Sequence, residues 1–411
     1  MMKRLSAFIL AASLGVAPST FAGGFQLYSE SATDVLAVGG AAVARGGHAS
    51  GAWYNAASTT TIEVPTLSMG GSLLKLGSEY STSRGTDQMD DQFRMTGFAF
   101  AVVPFADDFR FTLSVNAPYG MITQWDRDSQ LSTLATFTSL RVCYISPGIA
   151  WKVTDNFSIA AGLNETIGVA RLARYIDLGP YGRNKLYMDA AGQSQGGFFS
   201  LYYKPFDDWA FGLHYQSKVH LHMSGDANYR REMDGMLKFI PAGVDTSVTM
   251  PSYLALGVEN SSFEKWRFMA DAIWTKWSSY RSLDINFRKM PGSGKHATAS
   301  NYRDWHDVWS YHFGVEYLLS EHWTLRCGYA LDLSPSNGRT ASPEMPDSDK
   351  QLFTLGVGYQ TERWGIDLAY GYVYFDKTKL GSSVAKVGNI SERGTFDTDC
   401  HVLSAQLTYR F

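Results

Sequence analysis

The sequence predicts an all-β protein: a 14-stranded antiparallel transmembrane β-barrel with an N-terminal hatch, or plug, inside the lumen. Three observations predict it. First, the chain closes on a strict alternation. Leu403, Ala405, Leu407, Tyr409 and Phe411 alternate with Ser404, Gln406, Thr408 and Arg410, the period of a strand with one apolar and one polar face. Second, short turns recur in which an acidic or polar cluster is followed by an aromatic: 104–109 (PFADDF), 152–157 (KVTDNF), 204–209 (KPFDDW), 260–266 (NSSFEKW), 319–323 (LSEHW) and 360–364 (QTERW). Third, longer segments rich in Pro, Gly, Ser and Asp lie between them, near 77–92, 117–139, 177–196, 224–245, 288–307, 334–350 and 376–398, with the composition of loops. Six short turns and seven long loops make thirteen connections, hence 14 strands. Bacterial barrels have an even strand number, with short periplasmic turns and longer outer loops.

The composition agrees. In 411 residues only 18% are charged, 14% are aromatic and 39 are glycine. Soluble domains carry about 25% charged residues, so an apolar exterior is implied. The net charge of −3 gives no basic excess of the kind that binds nucleic acid. Phe109, Phe157, Trp209, Trp266, Trp323 and Trp364, each flanking a turn, are expected to form the periplasmic aromatic girdle.

Residues 1–22 read as a signal peptide. Lys3 and Arg4 precede the mostly apolar run Leu5 to Ala17, and Thr20, Phe21 and Ala22 form a small-residue cleavage site. The run is too short for a helical span, which takes about 20 residues, and no later stretch reaches that length. The expected location is therefore the outer membrane of a Gram-negative cell, with the bilayer and lipopolysaccharide as surroundings. The barrel is assigned to 63–411.

A 14-stranded barrel is too wide for side chains to fill. Residues 23–62 are the candidate filler, the hatch. The stretch from Asp34 to Gly47 allows one or two short helical turns broken at Gly39-Gly40 and Gly46-Gly47. Phe25, Leu27, Tyr28, Leu36, Trp53 and Tyr54 argue against a disordered tail. Cys143, Cys327 and Cys400 are too widely spaced for a zinc motif. His220 and His222 share a strand face, but no third ligand is evident, and no metal or other cofactor is expected. The cluster Arg303, Asp304, His306, Asp307 has no placed nucleophile and is not read as catalytic.

The motifs resemble the FadL family of outer-membrane transporters for long-chain fatty acids and other hydrophobic compounds. Gly24-Phe25-Gln26-Leu27 matches the family's mature start. Asn55-Ala56-Ala57 stands where its hatch carries Asn-Pro-Ala, with Trp53 and Tyr54 just before it. Asp332, Ser334-Pro335 and Pro346-Asp347-Ser348-Asp349 match its Asp-x-Ser-Pro and Pro-Asp-x-Asp spacing. The resemblance covers essentially the whole mature chain. It implies a 14-stranded barrel with an N-terminal plug, acting as a monomeric passive transporter and not an enzyme. It further implies an apolar groove among the outer loops, an internal pocket, and lateral exit where the third strand kinks.

Carried onto this chain, the resemblance assigns carboxylate binding to Arg174 or Arg171, with Arg174 favoured, and an internal role to Phe25. The family's second basic residue falls near the uncharged Asn301, where Lys295 or Arg303 would substitute. That departure keeps aromatic hydrocarbons open as an alternative substrate class, with a general diffusion porin as a weaker one. Asn116, Pro118, Tyr119 and Gly120 are the candidate kink and gate, since proline removes a ladder donor. Leu186, Tyr187, Met188, Met236, Leu237 and Phe239 are the expected apolar groove residues in the third and fourth long loops, methionine and aromatics suiting varied apolar ligands.

Overall fold

The computed structural model describes residues 24–90, 93–177, 183–231, 242–288 and 296–411. The signal-peptide assignment, Lys295, Met236, Leu237 and Phe239 lie outside these residues.

Fourteen wall strands run antiparallel in chain order around a closed sheet. They are β1 (Thr66–Thr82), β2 (Phe93–Ala106), β3 (Phe109–Gln124), β4 (Phe137–Thr154), β5 (Phe157–Asp177) and β6 (Arg183–Phe206). Next come β7 (Trp209–Gln216 and Val219–Arg231), β8 (Ala242–Met250 and Tyr253–Phe263), β9 (Trp266–Thr275 and Ser282–Phe287) and β10 (Ala297–Tyr302 and Val308–Leu318). The set ends with β11 (Trp323–Asp332), β12 (Lys350–Gln360), β13 (Trp364–Phe375) and β14 (Thr395–Arg410). Closure is made by β1 against β14, in continuous register from Thr66↔Arg410 to Ser81↔Thr395. Closing the sheet leaves no free edge for lipid to meet.

All six short turns fall at the predicted places, each followed by its aromatic at the head of the next strand. Trp209, Trp266, Trp323 and Trp364 are 40–50% exposed on the wall, as an interfacial girdle requires. On β14, Leu403 and Leu407 point outward while Phe396, Cys400 and Val402 are buried. The alternation thus separates a lipid face from a lumen face.

The long loops are shorter than the sequence suggested. Strand β5 runs for 21 residues and β6 for 24, against the roughly 10 that span a bilayer. The wall therefore stands well above the membrane on the side of the long loops. Leu186, Tyr187 and Met188 accordingly lie on β6, not in a loop.

Four neighbouring strands, β7 to β10, are each interrupted partway up. At the breaks in β9 and β10 the chain leaves the wall and turns Trp277, Tyr280, Arg303 and Trp305 into the lumen, where all four are buried. Asp304, with φ of +50°, marks the corner in β10.

Residues 24–62 fill the lumen. Short helices α1 (Thr33–Leu36) and α2 (Gly51–Tyr54) are joined by irregular chain that turns at Gly39 (φ +65°) and Gly40 (φ +90°), followed by a 3-10 turn, Ala56–Thr61. The segment bonds to opposite sides of the barrel. Thr33 meets Ser404 and Gln406 on β14. Ala42 and Val43 donate their amides to Asp271 on β9, at 2.7 and 2.9 Å. Thr60 meets Ser158 on β5.

Candidate functional site

Three structures at the outer half of the barrel bear on function: a groove at the mouth, an aromatic cluster beneath it, and a gap in the wall beside that cluster.

The groove is a cavity of about 300 Å³ lined by Leu134, Leu172, Leu186, Met188, Leu283, Ile285 and Phe287, with Arg174, Ser300, Asn301 and Glu344 as its polar part. A second cavity of about 230 Å³ shares Arg174, Asn301 and Glu344 and continues toward Arg339 and Val384. The apolar lining comes from β4, β5, β6 and β9, because each of these strands extends above the membrane. Among the described residues Arg174 makes no hydrogen bond or ion pair. Asn301, the uncharged position of the second family cation, stands in the same cavity.

Two of the predicted ligand residues fall elsewhere. Arg171 points to the outer wall and pairs with Asp189 at 3.3 Å. Strand parity explains this: Arg171 and Arg174 differ by an odd number and lie on opposite faces. Tyr187 likewise faces outward, 40% exposed, while its neighbours Leu186 and Met188 face the groove. Arg303 lies buried below the groove, its guanidinium 6.0 Å from the Tyr280 ring and bonded to Ser342 at 3.1 Å.

The segment 333–349 closes the mouth. Its family-like motif is a folding device. Asp349 accepts the Ser334 amide at 2.8 Å, and Ser334 donates its hydroxyl to Asp347. Lys350 pairs with Asp347 at 2.7 Å. Burial pushes the Asp347 carboxyl above its ordinary range, against the pull of Lys350. The folded segment delivers Glu344 to the groove and the Pro343 carbonyl to the Trp125 indole.

The aromatic cluster centres on Phe25. Its ring lies 4.9 Å from Trp277 and 5.6 Å from Tyr280, both edge-on, with Tyr119 at 6.0 Å and Trp305 at 6.1 Å. Edge-to-face pairs at such spacings are favourable. Sequence reasoning did not find Trp277, Tyr280 or Trp305 because they sit in strand breaks, where no alternation points to the lumen. The hatch glycine beside them is constrained: Gly24 has φ of +70°, and a Cβ there would meet Trp277 and Trp305 at 2.9 Å.

The gap lies between β2 and β3. These strands pair from Ala106↔Phe109 up to Ala99↔Val115 and then separate. Strand β2 keeps its other partner, β1, through Phe93. Strand β3 keeps β4, with a register shift between Asn116 and Tyr119. The separated stretches, 93–98 and 116–123, frame a window. It is closed above by the Met89↔Trp125 bridge and the Asp90 amide bonded to Gln124. The predicted kink residues Asn116, Pro118, Tyr119 and Gly120 are therefore one side of the window, and β3 continues past them to Gln124.

The freed edge of β3 is taken up by the hatch. Leu27 donates its amide to the Pro118 carbonyl at 2.7 Å, and Gly120 donates to Phe25 at 2.9 Å. Gln26 and Tyr119 thus form an antiparallel bridge. The peptide just before Pro118 could not stay in a regular ladder, since proline lacks a donor.

Deeper in the lumen, charged side chains tie the hatch to the wall. Arg45 pairs with Asp34 at 2.9 Å and with Glu316 of β10 at 2.6 Å. Arg326 of β11 joins Glu316 at 2.6 Å to Asp367 of β13. Asp34 also accepts from Ser50 and lies 3.2 Å from His48. Burial alone would raise the Asp34 carboxyl; His48, Arg45 and Ser50 together hold it well below the usual carboxylate range. At the HASGAWYNAAS stretch, Trp53 packs edge-on to Tyr144 at 5.5 Å, and Tyr54 donates to the Tyr28 carbonyl at 2.7 Å. The Asn55 amide bridges the carbonyls of Val43 and Leu201, at 2.7 and 2.9 Å, and so fixes hatch to β6. Ala56 is fully buried beside it. Cys143, Cys327 and Cys400 are free.

A closed 14-stranded barrel with a filled lumen, an apolar outer groove and a gap in its wall defines a class: outer-membrane channels that move hydrophobic compounds rather than aqueous solutes. The profile of the outer membrane protein transport protein family (OMPP1/FadL/TodX) matches residues 13–411, and the chain belongs to that family. It is 22% identical over 320 residues to the long-chain fatty acid transport protein of Escherichia coli K12, covering 68% of this chain and 70% of that one. It is 24% identical over 350 residues to outer membrane protein P1 of Haemophilus influenzae Rd, covering 76% and 74%. In three dimensions it is similar to a Pseudomonas aeruginosa FadL homologue, with TM-score 0.82, 21% identity, and 94% and 100% of the two chains covered. It is also similar to the Pseudomonas putida toluene transporter TodX, with TM-score 0.76, 16% identity, and 94% and 99% covered.

Proposed function

We propose that this protein carries long-chain fatty acids passively across the outer membrane as a monomer. The carboxylate is held by Arg174, with Asn301 and Ser300 as neutral partners. The observation that carries this reading is the Arg174 side chain, without a partner among the described residues, at the edge of a groove lined mainly by apolar residues, with Ser300, Asn301 and Glu344 as its other polar part. An isolated guanidinium beside apolar surface is costly for a hydrocarbon site, but matches an amphiphile with an anionic head. The acyl chain lies along Leu172, Leu186, Met188 and Ile285. From there it passes to the space that Phe25 now occupies and leaves sideways through the window between β2 and β3. No cofactor is required, since the path runs down a concentration gradient.

A second reading has its own observation. The box of Trp277, Tyr280, Trp305 and Tyr119 around the Phe25 ring suits a small aromatic guest, and the toluene transporter TodX shares the fold. One experiment separates the two. Uptake of labelled oleate and labelled toluene is measured in cells lacking their own transporter, with wild type and Arg174→Ala. The fatty acid reading expects oleate uptake to fall and toluene uptake to stay low in both. Toluene uptake that is high and indifferent to Arg174 supports the hydrocarbon reading. A large, steady conductance in planar bilayers would instead favour a diffusion porin.

A further inference from the structure

The outer wall beside the window carries an arginine cluster that the transport path does not use. Strand β4 presents Trp151, Ile149, Pro147, Ile145 and Cys143 outward in succession, without a charge, before reaching Arg141. Trp151 stacks on Phe109 in the periplasmic girdle, 5.8 Å between ring centres. The rise from Trp151 to Arg141 is about 25 Å, at ~3.3 Å per residue and a ~40° tilt, which matches the apolar band of such barrels. Arg141 therefore sits where the hydrocarbon ends and the head groups of the outer leaflet begin.

Two further arginines lie near it. Arg171 lies diagonally across on β5, where Ser139↔Arg171 and Arg141↔Val169 are paired, a spacing within reach of long side chains. Arg94 lies across the window on β2, but its register partner Leu74 and its same-parity neighbours Thr96 and Phe98 are buried, so it starts from the lumen side of its strand. Between them, Arg141 is opposite Gly120 of β3, which offers no side chain to cover it. The charged groups acting most strongly on Arg141 are Arg171 and Arg94, both of its own sign, and one carboxylate, Asp189. Asp189 is already engaged by Arg171 at 3.3 Å, and Asp90 lies near Arg94. Lys75 of β1, over the Phe93 ring at 5.9 Å, is a third cation on this side of the wall. Among the described residues Arg141 makes no hydrogen bond or ion pair.

We propose that Arg141, with Arg171, binds a phosphate group of the lipopolysaccharide in the outer leaflet. The guanidinium fork is suited to bidentate contact with phosphate, and its weak hydration suits a membrane interface. At this level the Arg141 side chain, which has no partner among the described residues, is complementary to a phosphorylated glycolipid. The acyl chains of that lipid then lie against the uncharged face of β4 below Arg141. The bound glycolipid stands beside the window. This inference does not depend on which hydrophobic substrate is carried.

The test uses the whole folded barrel in detergent, titrated with lipopolysaccharide and followed by native mass spectrometry. Heat-modifiable migration checks folding. Arg141→Ala and Arg141→Gln are expected to weaken binding about tenfold or more, the loss of one charge-assisted contact. Arg141→Lys should recover part of it. For the wild type, lipopolysaccharide stripped of its phosphates should bind as weakly as the variants. Lys218→Ala, on a distant part of the outer wall, should change nothing. Three results would overturn the proposal: unchanged affinity in folded Arg141→Ala, equal binding of dephosphorylated lipopolysaccharide, or equal binding of phosphatidylglycerol. The arm with stripped lipid needs no variant, so it stands even if an arginine substitution fails to assemble.

Discussion

The Gly120 amide in the kinked third strand donates to the Phe25 carbonyl at the start of the hatch, at 2.9 Å. Two features that look separate in the sequence are thereby one object. The kink frees a strand edge, and the first hatch residues satisfy it. The same residue places its ring in the box formed by Trp277, Tyr280, Trp305 and Tyr119. Moving Phe25 would release the edge of the window and vacate the box together. On the route proposed above, that coupling would let a ligand arriving from the groove open a lateral path without opening the barrel to water.

Deleting residues 24–27 removes this latch and the ring. The barrel wall has its own complete ladder elsewhere, so assembly should persist. Substrate uptake is expected to rise in rate and lose selectivity, measured as oleate and toluene uptake at equal expression. A deletion variant that assembles normally yet transports no faster would show that the hatch start does not limit passage.

Gly328 on β11 is one of the places where the hatch backbone lies tight against the wall. A Cβ there would lie 2.1 Å from the Gly39 nitrogen and 2.3 Å from the Val38 carbonyl carbon. Those are backbone atoms in a turn already committed to positive φ, so neither side can yield cheaply. Gly328→Val should displace the hatch, seen as new protease cleavage within residues 34–47, with the barrel still resistant. Gly338→Ala, where a Cβ meets open space, is the matched control.

The Arg45–Glu316–Arg326–Asp367 chain should behave as a unit. Removing Arg326 leaves two carboxylates, Glu316 and Asp367, buried and short of a partner. Breaking a buried pair in this way costs about 3–5 kcal/mol. Arg326→Ala is expected to lower the denaturation midpoint of the folded barrel. Adding Glu316→Gln and Asp367→Asn should recover part of that loss. A double or triple variant no better than the single one would mean that the charges act independently.

Much of this was legible in the sequence, and the misses have definite causes. The turns could be read because a two-residue reversal between strands demands polar residues, and the girdle puts an aromatic straight after. The hatch could be read because residues 23–62 do not alternate yet are too apolar for a tail. Tyr187 was misplaced through strand length, and Arg171 through parity, being an odd number of residues from Arg174 on the same strand. The segment around Tyr187 read as loop, whereas β6 continues to Arg183, and strand parity then sends these side chains outward. Glu316, Arg326 and Asp367 left a usable signal: charged residues on the buried face of strands otherwise apolar on the outside. The aromatic box left none, since Trp277 and Trp305 sit where the strands break, and their meeting with Phe25 depends on closure of the whole barrel.

Glu30 makes the hatch sensitive to alkali. Burial raises its carboxyl to about 8, with its own backbone amide and Lys350 pulling the other way and Asp332 adding to the rise. The folded hatch therefore holds a proton that a displaced hatch releases. The stabilisation from this group is complete below the ordinary glutamate value and is lost as pH climbs through about 8. Asp34 works in the opposite direction, but its carboxyl is held so low that it stays ionised across this window. Burial and Arg45 keep His48 below its ordinary value, so it too is already uncharged at the alkaline end. Once corrected for the base catalysis of intrinsic amide exchange, hydrogen exchange at residues 27–36 should accordingly show opening that becomes easier between about pH 6 and 9, where the linked proton is released. Glu30→Gln, neutral throughout, should flatten that rise while leaving exchange at pH 6 near wild type. An unchanged slope in the variant would assign the alkaline loosening to another group in the lumen.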